Sequence, residues 1–439
     1  MGDAARHGQR HTGGSMADVV LFSALGLTLY GLAVLHKKTG DSWKDEGWSM
    51  ADVSIVRCEK YELKAAEAAL LRVLEPLGGL TWVKPGMRVV IKANLVSFLK
   101  PELAATTHPV LLCALTKLLT QRGAKVVVGD SPGGLYTPAY VNRVYAATGV
   151  GAVEKFGGTL NRDFGQRTAD FPEAFVAKSF RYTSYLDGAD AIINFCKLKS
   201  HGMMSLSAAA KNMFGAVPGT VKPEYHFRFP DPADFAGMIV DLNRFFKPRL
   251  CIVDAVVAME GNGPTAGKPR QVGAVLASAD PHRLDMVCAR VMGLDPMRVP
   301  TLVKAMEYGL CAKSAEEVDI AGWAEDFVVE DFDRIENCVS TQFDALLPGV
   351  FGKALGGIAK KAMSSVPRVR PEECVGCGRC AAICPAHAIE MRNKLPHIHR
   401  GACIHCFCCQ EFCPKGAMKV KRPLVAKVLD RRERKTARL

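Results

Sequence analysis

The 439-residue sequence predicts an α/β domain, with a mostly parallel sheet and flanking helices, joined to a small α+β domain near its carboxyl end. Three observations lead to this reading. Short β-branched runs alternate with amphipathic stretches from Val53 to about Asp344, the pattern of strand–helix–strand units that lay helices on the faces of a parallel sheet. Eight of the sixteen cysteines fall into two evenly spaced groups after residue 373, which marks a separate unit with its own chemistry. At 49% hydrophobic residues, and with domains usually running roughly 100 to 200 residues, the chain fills one large core and one small one.

Residues 1–49 precede the first strand-like run, VSIVR. Within them Val19–Leu35 carries no charge and is followed by His36, Lys37 and Lys38. Its seventeen residues stand at the short end of the range of about 17 to 25 that spans a membrane. Two readings stay open: a single anchor, with the lysines after it holding the main body on the cytoplasmic side, and an extension ahead of the true start, Met16 and Met50 both being initiators in form. No small-x-small cleavage site follows, so a cleaved signal has less support. The expected location is the cytoplasm, with a membrane surface reached only through this segment.

The α/β domain is expected over residues 50–346. Its strands are read at Arg88–Val96, Ala124–Asp130, Asp190–Leu198, Arg249–Val257 and Val272–Ser278. Between the first two, HPVLLCALTKLLTQRG has apolar residues three and four apart and closes on Gly123, a crossover helix. Similar helices are expected at Pro232–Phe246 and Pro281–Met292. Ligands of open α/β sheets bind beyond the carboxyl ends of the strands. Here those ends carry Lys92 and Asn94, then Asp130, then Lys197, Lys199 and His201, then Asp254 and Glu260, then Asp280 and Asp285.

On an extended strand Lys197 and Lys199 share a face, and with His201 beyond them they form the elements of an anion site with a proton-exchanging imidazole. The small-residue run SLSAAA leads to Lys211 and Asn212 and could open a helix whose free N–H groups point at the same anion. Lys92, Asn94, Asp130 and Glu260 complete the expected substrate contacts, with Lys199 and His201 as the catalytic pair. Each lysine alone is more often a solvated strand end. Asp130, Asp254 and Glu260 could instead hold a divalent cation, or be neutralised by lysines. His108 and His226 read as capping or loop residues, and Cys196 as a buried strand residue facing away from Lys197. Phosphate motifs fail: EGNGPTAGKP, Glu260–Pro269, has Asn262 where a P-loop needs glycine and Pro269 where it needs Ser or Thr. No nucleotide cofactor is indicated, and flavin, lacking a short motif, stays open.

Cys374, Cys377, Cys380 and Cys384 follow C-x-x-C-x-x-C-x-x-x-C-P, and Cys403, Cys406, Cys409 and Cys413 repeat it, ending at Pro385 and Pro414. Residues 367–423 thereby resemble the bacterial two-cluster ferredoxins. That resemblance implies two [4Fe-4S] clusters, one on Cys374, Cys377, Cys380 and Cys413, the other on Cys384, Cys403, Cys406 and Cys409, because the fourth cysteine of each run crosses to the other cluster. Cys408 is a spare thiol, while His405 and Phe407 are placed to shield the second cluster or to pack. A linker at 347–366 and a basic tail at 424–439 flank the module. Residues 353–439 hold 19 Lys and Arg against 6 Asp and Glu, which accounts for the whole net charge of +13. Charge gathered at one end reads first as a solvated tail, and otherwise as a docking surface for an acidic electron carrier or anionic lipid, more than as a nucleic-acid fold.

KANLV, THPV, VVVGDSPGG, INFCKLKSHGMMSLSAAAKNMFGAVPG, VDAVVAMEGNGPTAGKPR and ASADPHRLD together resemble the family known as domain of unknown function 362. The likeness runs from about Val53 to Asp344, and many members similarly carry a two-cluster ferredoxin module. It implies no catalytic residues. The expectation is an iron-sulfur oxidoreductase passing electrons between the clusters and a small anionic substrate. The rival is a carrier or scaffold that docks a redox partner, and a third reading is a non-redox transferase or ligase with structural clusters.

Overall fold

The computed structural model describes residues 50–335 and 365–421, all of them within one compact unit beginning at Met50. The candidate span at Val19–Leu35, most of the proposed linker and the basic tail lie outside the described residues. No helix among the described residues is long and apolar enough to cross a membrane.

The first domain is built on strands β1 (Val53–Arg57), β2 (Arg88–Lys92), β3 (Lys125–Gly129), β4 (Thr159–Leu160), β5 (Gln166–Asp170), β6 (Ser179–Thr183), β7 (Ala191–His201), β8 (Ser205–Ser207), β9 (Leu250–Glu260), β10 (Lys268–Ser278) and β11 (Ile320–Ala321). The main sheet has the order β11-β1-β10-β9-β7-β2-β3-β4, and β5 and β6 form a separate hairpin. β9, β7, β2, β3 and β4 run parallel, β10 is antiparallel to both β9 and β1, and β11 is parallel to β1. From β2 the chain moves outward on one side through β3 and β4, then returns on the other through β7 and β9. The strand order therefore reverses between β2 and β7, the place where open α/β sheets form a ligand crevice.

The expected helices appear at Pro109–Thr120, Pro232–Phe246 and Pro281–Val291. Further helices at Leu63–Leu74, Pro138–Thr148 and Pro300–Glu307 complete the layers. Alternation along the strands divides the interior. Ile193, Phe195, Ile252 and Val275 pack in the layer of the 63–74 and 109–120 helices, while Cys196, Leu198, Val253 and Leu276 pack in the layer of the 281–291 helix. Cys196 thus faces away from the odd-numbered lysines, as its neighbour spacing predicts.

Strand ends depart from expectation where side chains or extra pairing intervene. β2 stops at Lys92 because the amides of Asn94 and Leu95 donate to Thr107 Oγ1 and Asp130 Oδ2 instead of a ladder. β7 runs on to His201 because β8 folds back to pair Lys199 with Ser207 and His201 with Ser205. Lys197 and Lys199 are therefore interior strand residues, both buried, where solvated strand ends were the alternative.

The second domain comprises β12 (Val366–Val369), β13 (Ile389–Arg392), β14 (Leu395–Ile398) and β15 (Met418–Lys421), paired β12 with β15 and β13 with β14, around two helices of four residues each, Arg379–Ala382 and Cys408–Glu411. Its two halves repeat in backbone as well as sequence. Left-handed residues stand at Gly376, Gly378 and His387 in the first half and at His405, Phe407 and Gly416, the equivalent positions, in the second. Outside glycine such a φ costs on the order of 1 kcal/mol, so His405 and Phe407 hold their places against backbone preference. For Phe407 the offset is burial: it packs in the first domain's cluster with Met203, Met204 and Phe235.

Beneath the crevice, Lys197 Nζ and Asp254 Oδ2 form a fully buried pair at 2.8 Å, and Asp254 also accepts from Tyr61 Oη (2.9 Å) and the His108 amide (2.9 Å). Removing one partner leaves a buried charge alone, so Asp254→Ala is expected to lose about 3–5 kcal/mol of stability. The pairwise replacement Lys197→Met/Asp254→Leu is expected to lose less than that single change. Melting curves followed by circular dichroism check this, and a double variant as unstable as the single one would contradict it.

Candidate functional site

The carboxyl ends of β2, β3 and β7 open into a cavity of about 830 Å³, and its opposite wall is the second domain. Asn94, Asp130, Lys199, His201, Lys211 and Asn212 line it from the first domain, while Arg379, Ile383, Glu411, Phe412 and Cys413 line it from the second. The two domains are joined by the loop between β9 and β10. Gln410 Nε2 donates to the carbonyls of Asn262 (2.9 Å) and Gly263 (3.1 Å), Asn262 Oδ1 accepts from the Val420 amide (3.0 Å), and Thr265 Oγ1 donates to the Glu411 carbonyl (3.3 Å). The segment that superficially resembles a P-loop is therefore a docking loop.

The loops after β3 and after the 209–212 helix meet over the cavity through a close backbone approach. A Cβ on Gly219 would lie 2.2 Å from the Pro132 carbonyl oxygen and 2.5 Å from that of Gly134, so only glycine fits. The Gly219 amide donates to Ser131 Oγ at 2.8 Å.

Three lysines of the first domain reach the cavity, in different states. Lys199 Nζ donates to Asn94 Oδ1 (2.7 Å) and the Ala105 carbonyl (2.8 Å), and burial followed by repulsion from Lys211 brings its pKa down to about 7. Lys222 donates to the carbonyls of Ser131 and Val217, and burial likewise brings it down to about 7. Lys211 is held over aromatic faces, 4.7 Å from the ring centre of Phe214 and 5.7 Å from that of Phe235, and among the described residues no acceptor reaches its ammonium. Burial lowers its pKa, and Glu411 is the largest influence in the other direction.

His201 Nδ1 accepts from the amides of Met203 (3.0 Å) and Met204 (3.2 Å), so the hydrogen-bond network places the ring proton on Nε2. Burial lowers the imidazole pKa, contact with the Glu411 carboxylate works against it, and Lys211 and Lys199 lower it further. Nε2 stands 3.1 Å from Glu411 Oε1, yet the approach is not aligned and neither atom has a hydrogen bond among the described residues. Burial works against the Glu411 carboxylate, but contact with His201 and the field of Lys211 outweigh it and hold its pKa down to about 2. With Nδ1 occupied by two backbone amides, the ring presents Nε2–H as its donor, and protonation at Nδ1 would break both backbone bonds.

Other expected site residues lie elsewhere. Lys92 sits under the floor, bonded to Asp130 Oδ1 (2.6 Å), Asn212 Oδ1 (3.0 Å) and the Ala93 carbonyl (2.7 Å). Lys197 is committed to Asp254 and does not line the cavity, so it forms no anion-binding pair with Lys199. Glu260 Oε2 accepts from the Asp333 amide, also outside the cavity. Asp130, Asp254 and Glu260 have separate partners and do not converge, and no three His, Cys, Asp or Glu side chains among the described residues form a single-ion site. The free helix N-terminus after SLSAAA is also corrected: the Ala209 and Ala210 amides donate to Asp285 at 2.7 and 3.1 Å. His108 caps the 109–120 helix, while His226 is buried and stacked on Phe235 at 4.3 Å. Glu411 went unread because, between two cysteines of the repeat, it has no feature separating it from a surface carboxylate.

The cysteine groups fit cluster binding. Cys374, Cys377, Cys380 and Cys413 line one pocket, walled by Val369, Met391, Pro396 and Met418. In the other group, burial first and then the neighbouring Cys406 and Cys384 thiols raise the Cys403 pKa, while Cys409 is raised by burial and then by Cys406, Cys403, Cys380 and Cys384. Cys384 thus stands near Cys403 and Cys409, and Cys380 near Cys409 as well. Thiols crowded in this way release protons when iron binds. Cys408 is buried between them.

A lysine with a pKa near 7 is largely neutral, and nucleophilic, at pH 8, where an ordinary lysine near 10.4 is protonated. Trace labelling with acetic anhydride, read by peptide mass spectrometry, is expected to show Lys199 and Lys222 reaching half-maximal reactivity about three pH units before ordinary surface lysines. Reactivity that rises only near pH 10 would contradict the cavity electrostatics.

Comparison with known proteins agrees with this division. The model described as "Domain of unknown function (DUF362)" matches residues 89–290, and that described as "4Fe-4S dicluster domain" matches residues 373–417. A thylakoid-associated protein of Synechocystis sp. is 36% identical over 271 residues, covering 60% of this chain and 81% of the relative. Among solved structures, the lactate racemase apoprotein of Thermoanaerobacterium thermosaccharolyticum gives a TM-score of 0.37 at 12% identity over 56% of this chain and 57% of that one. A structural-genomics protein of Thermotoga maritima gives 0.32 at 14%, over 49% and 55%. The chain belongs to the DUF362 family and carries a 4Fe-4S dicluster domain with electron-transfer capacity at its carboxyl end.

Proposed function

We propose that the protein is an iron-sulfur oxidoreductase whose substrate is an organic anion bound between the two domains. The observation that carries this reading is a shared wall: Cys413, Pro414, Lys415 and Arg379 line both the four-cysteine pocket and the 830 Å³ cavity. Cys374, Cys377, Cys380 and Cys413 would hold one [4Fe-4S] cluster and Cys384, Cys403, Cys406 and Cys409 a second, and the clusters, when bound, supply or accept single electrons. Lys211, having no acceptor among the described residues, binds the anion. His201 donates from Nε2 and fixes its orientation. Lys199, with a pKa near neutrality, supplies or takes up the proton that accompanies electron transfer at the bound anion.

A protein electron donor or acceptor completes the cycle, and an acidic one suits the basic carboxyl-terminal region. The body is proposed to work in the cytoplasm, and the thylakoid association of the Synechocystis relative supports a place of work near a membrane.

The test is anaerobic reduction of the holoprotein with dithionite, followed by a screen of organic acids for those that reoxidise it, read in visible absorbance. Lys211→Met is expected to keep its clusters and lose at least tenfold in substrate-dependent reoxidation. Reoxidation by a protein partner alone, with no small anion active, would instead establish the carrier reading.

A further inference from the structure

The cavity is larger than a small anion needs, and its lining is graded from floor to mouth. At the floor, Lys199 and His201 are each 1% exposed and Lys211 is 9% exposed. At the mouth, Leu135 is 58% exposed and Leu103 46%, with Phe98 and Leu99 half-buried beside them. Large apolar side chains standing open around one cavity mark a surface that a ligand covers.

Floor and mouth make different demands. Lys211 has no acceptor among the described residues and so asks for an anionic group, and His201 Nε2, which stands 3.1 Å from Glu411 Oε1, is a donor beside it. The Asp130 carboxylate does not oppose one, because Lys92 already pairs with it, and the Glu411 carboxylate lies against His201 and in the field of Lys211. An inorganic anion would satisfy the floor and leave the leucines in water. A neutral apolar molecule would cover the leucines and leave the buried cation unpaired, which is the costlier failure.

We propose that the ligand is an amphipathic carboxylic acid, its head on Lys211 and His201 and an apolar body of several carbons against Phe98, Leu99, Leu103 and Leu135. This inference rests on the anion-site reading above and adds the body to it.

The test is calorimetric titration of the oxidised holoprotein with acetate, butanoate, hexanoate and octanoate, with 1-octanol and inorganic phosphate as contrasts. Affinity is expected to rise about fourfold per methylene group along the series, the value of one buried CH₂. Octanol is expected to bind at least tenfold more weakly than octanoate. Lys211→Met, with intact cluster absorbance, should lose tenfold or more in octanoate affinity. Leu103→Ser/Leu135→Ser, changed only at exposed positions and without altering the charge, should flatten the chain-length series. Acetate and octanoate binding equally would overturn the apolar body yet leave the anion site standing. Octanol matching octanoate would overturn the head. Failure of every carboxylate and of phosphate to bind would overturn the anion site itself, and this inference with it.

Discussion

Four lysine ammoniums buried at one end of a sheet govern what is built around them. A charge taken out of water must find a partner or give up its proton, and Lys92, Lys197, Lys199 and Lys211 meet that requirement in different ways. Lys92 and Lys197 are matched with Asp130 and Asp254 and become part of the scaffold. Lys199 is held by neutral acceptors and answers burial with a depressed pKa. Lys211 is left facing aromatic rings and open space. Chemistry at the crevice follows from this division, because the matched lysines fix its shape and the unmatched ones keep a demand for an anion.

The second domain closes the crevice. Its hold depends on polar contacts of the 260–269 loop and on Phe407, which occupies a left-handed position where the first half of the repeat has glycine. A phenylalanine there is unfavourable for the local loop and favourable for the interface, since its ring enters the first domain's core. The repeat was thus altered where it touches the larger domain. The same contact sets Glu411 beside His201, so the crevice takes a functional group from each domain.

Much of this was legible in the sequence because it depends on local pattern. The 232–246 helix stands where expected, bounded by Asp231 as its N-cap, and the two cysteine runs announce their grouping through spacing alone. Contacts between distant residues were not legible. Whether Lys197 faces a ligand or a counter-ion depends on Tyr61 and Asp254, one of them 136 residues away in the chain. Lys197 and Lys199 look alike by position, and only the tertiary partners separate a structural lysine from one that reaches the cavity. The loop at 260–269 offered glycines and a lysine in a suggestive order, but its use, docking a second domain, appears only when Gln410 and Val420 are in place.

The central claim is that the cysteine group containing Cys413 and the lysine-lined crevice share a wall. Pulsed electron paramagnetic resonance on the reduced holoprotein, with octanoate carrying ¹³C at its carboxyl carbon, measures this directly. The account predicts a resolved hyperfine coupling between the cluster spin and the label, lost in Lys211→Met. A label that binds with wild-type affinity and shows no coupling to either cluster would contradict it.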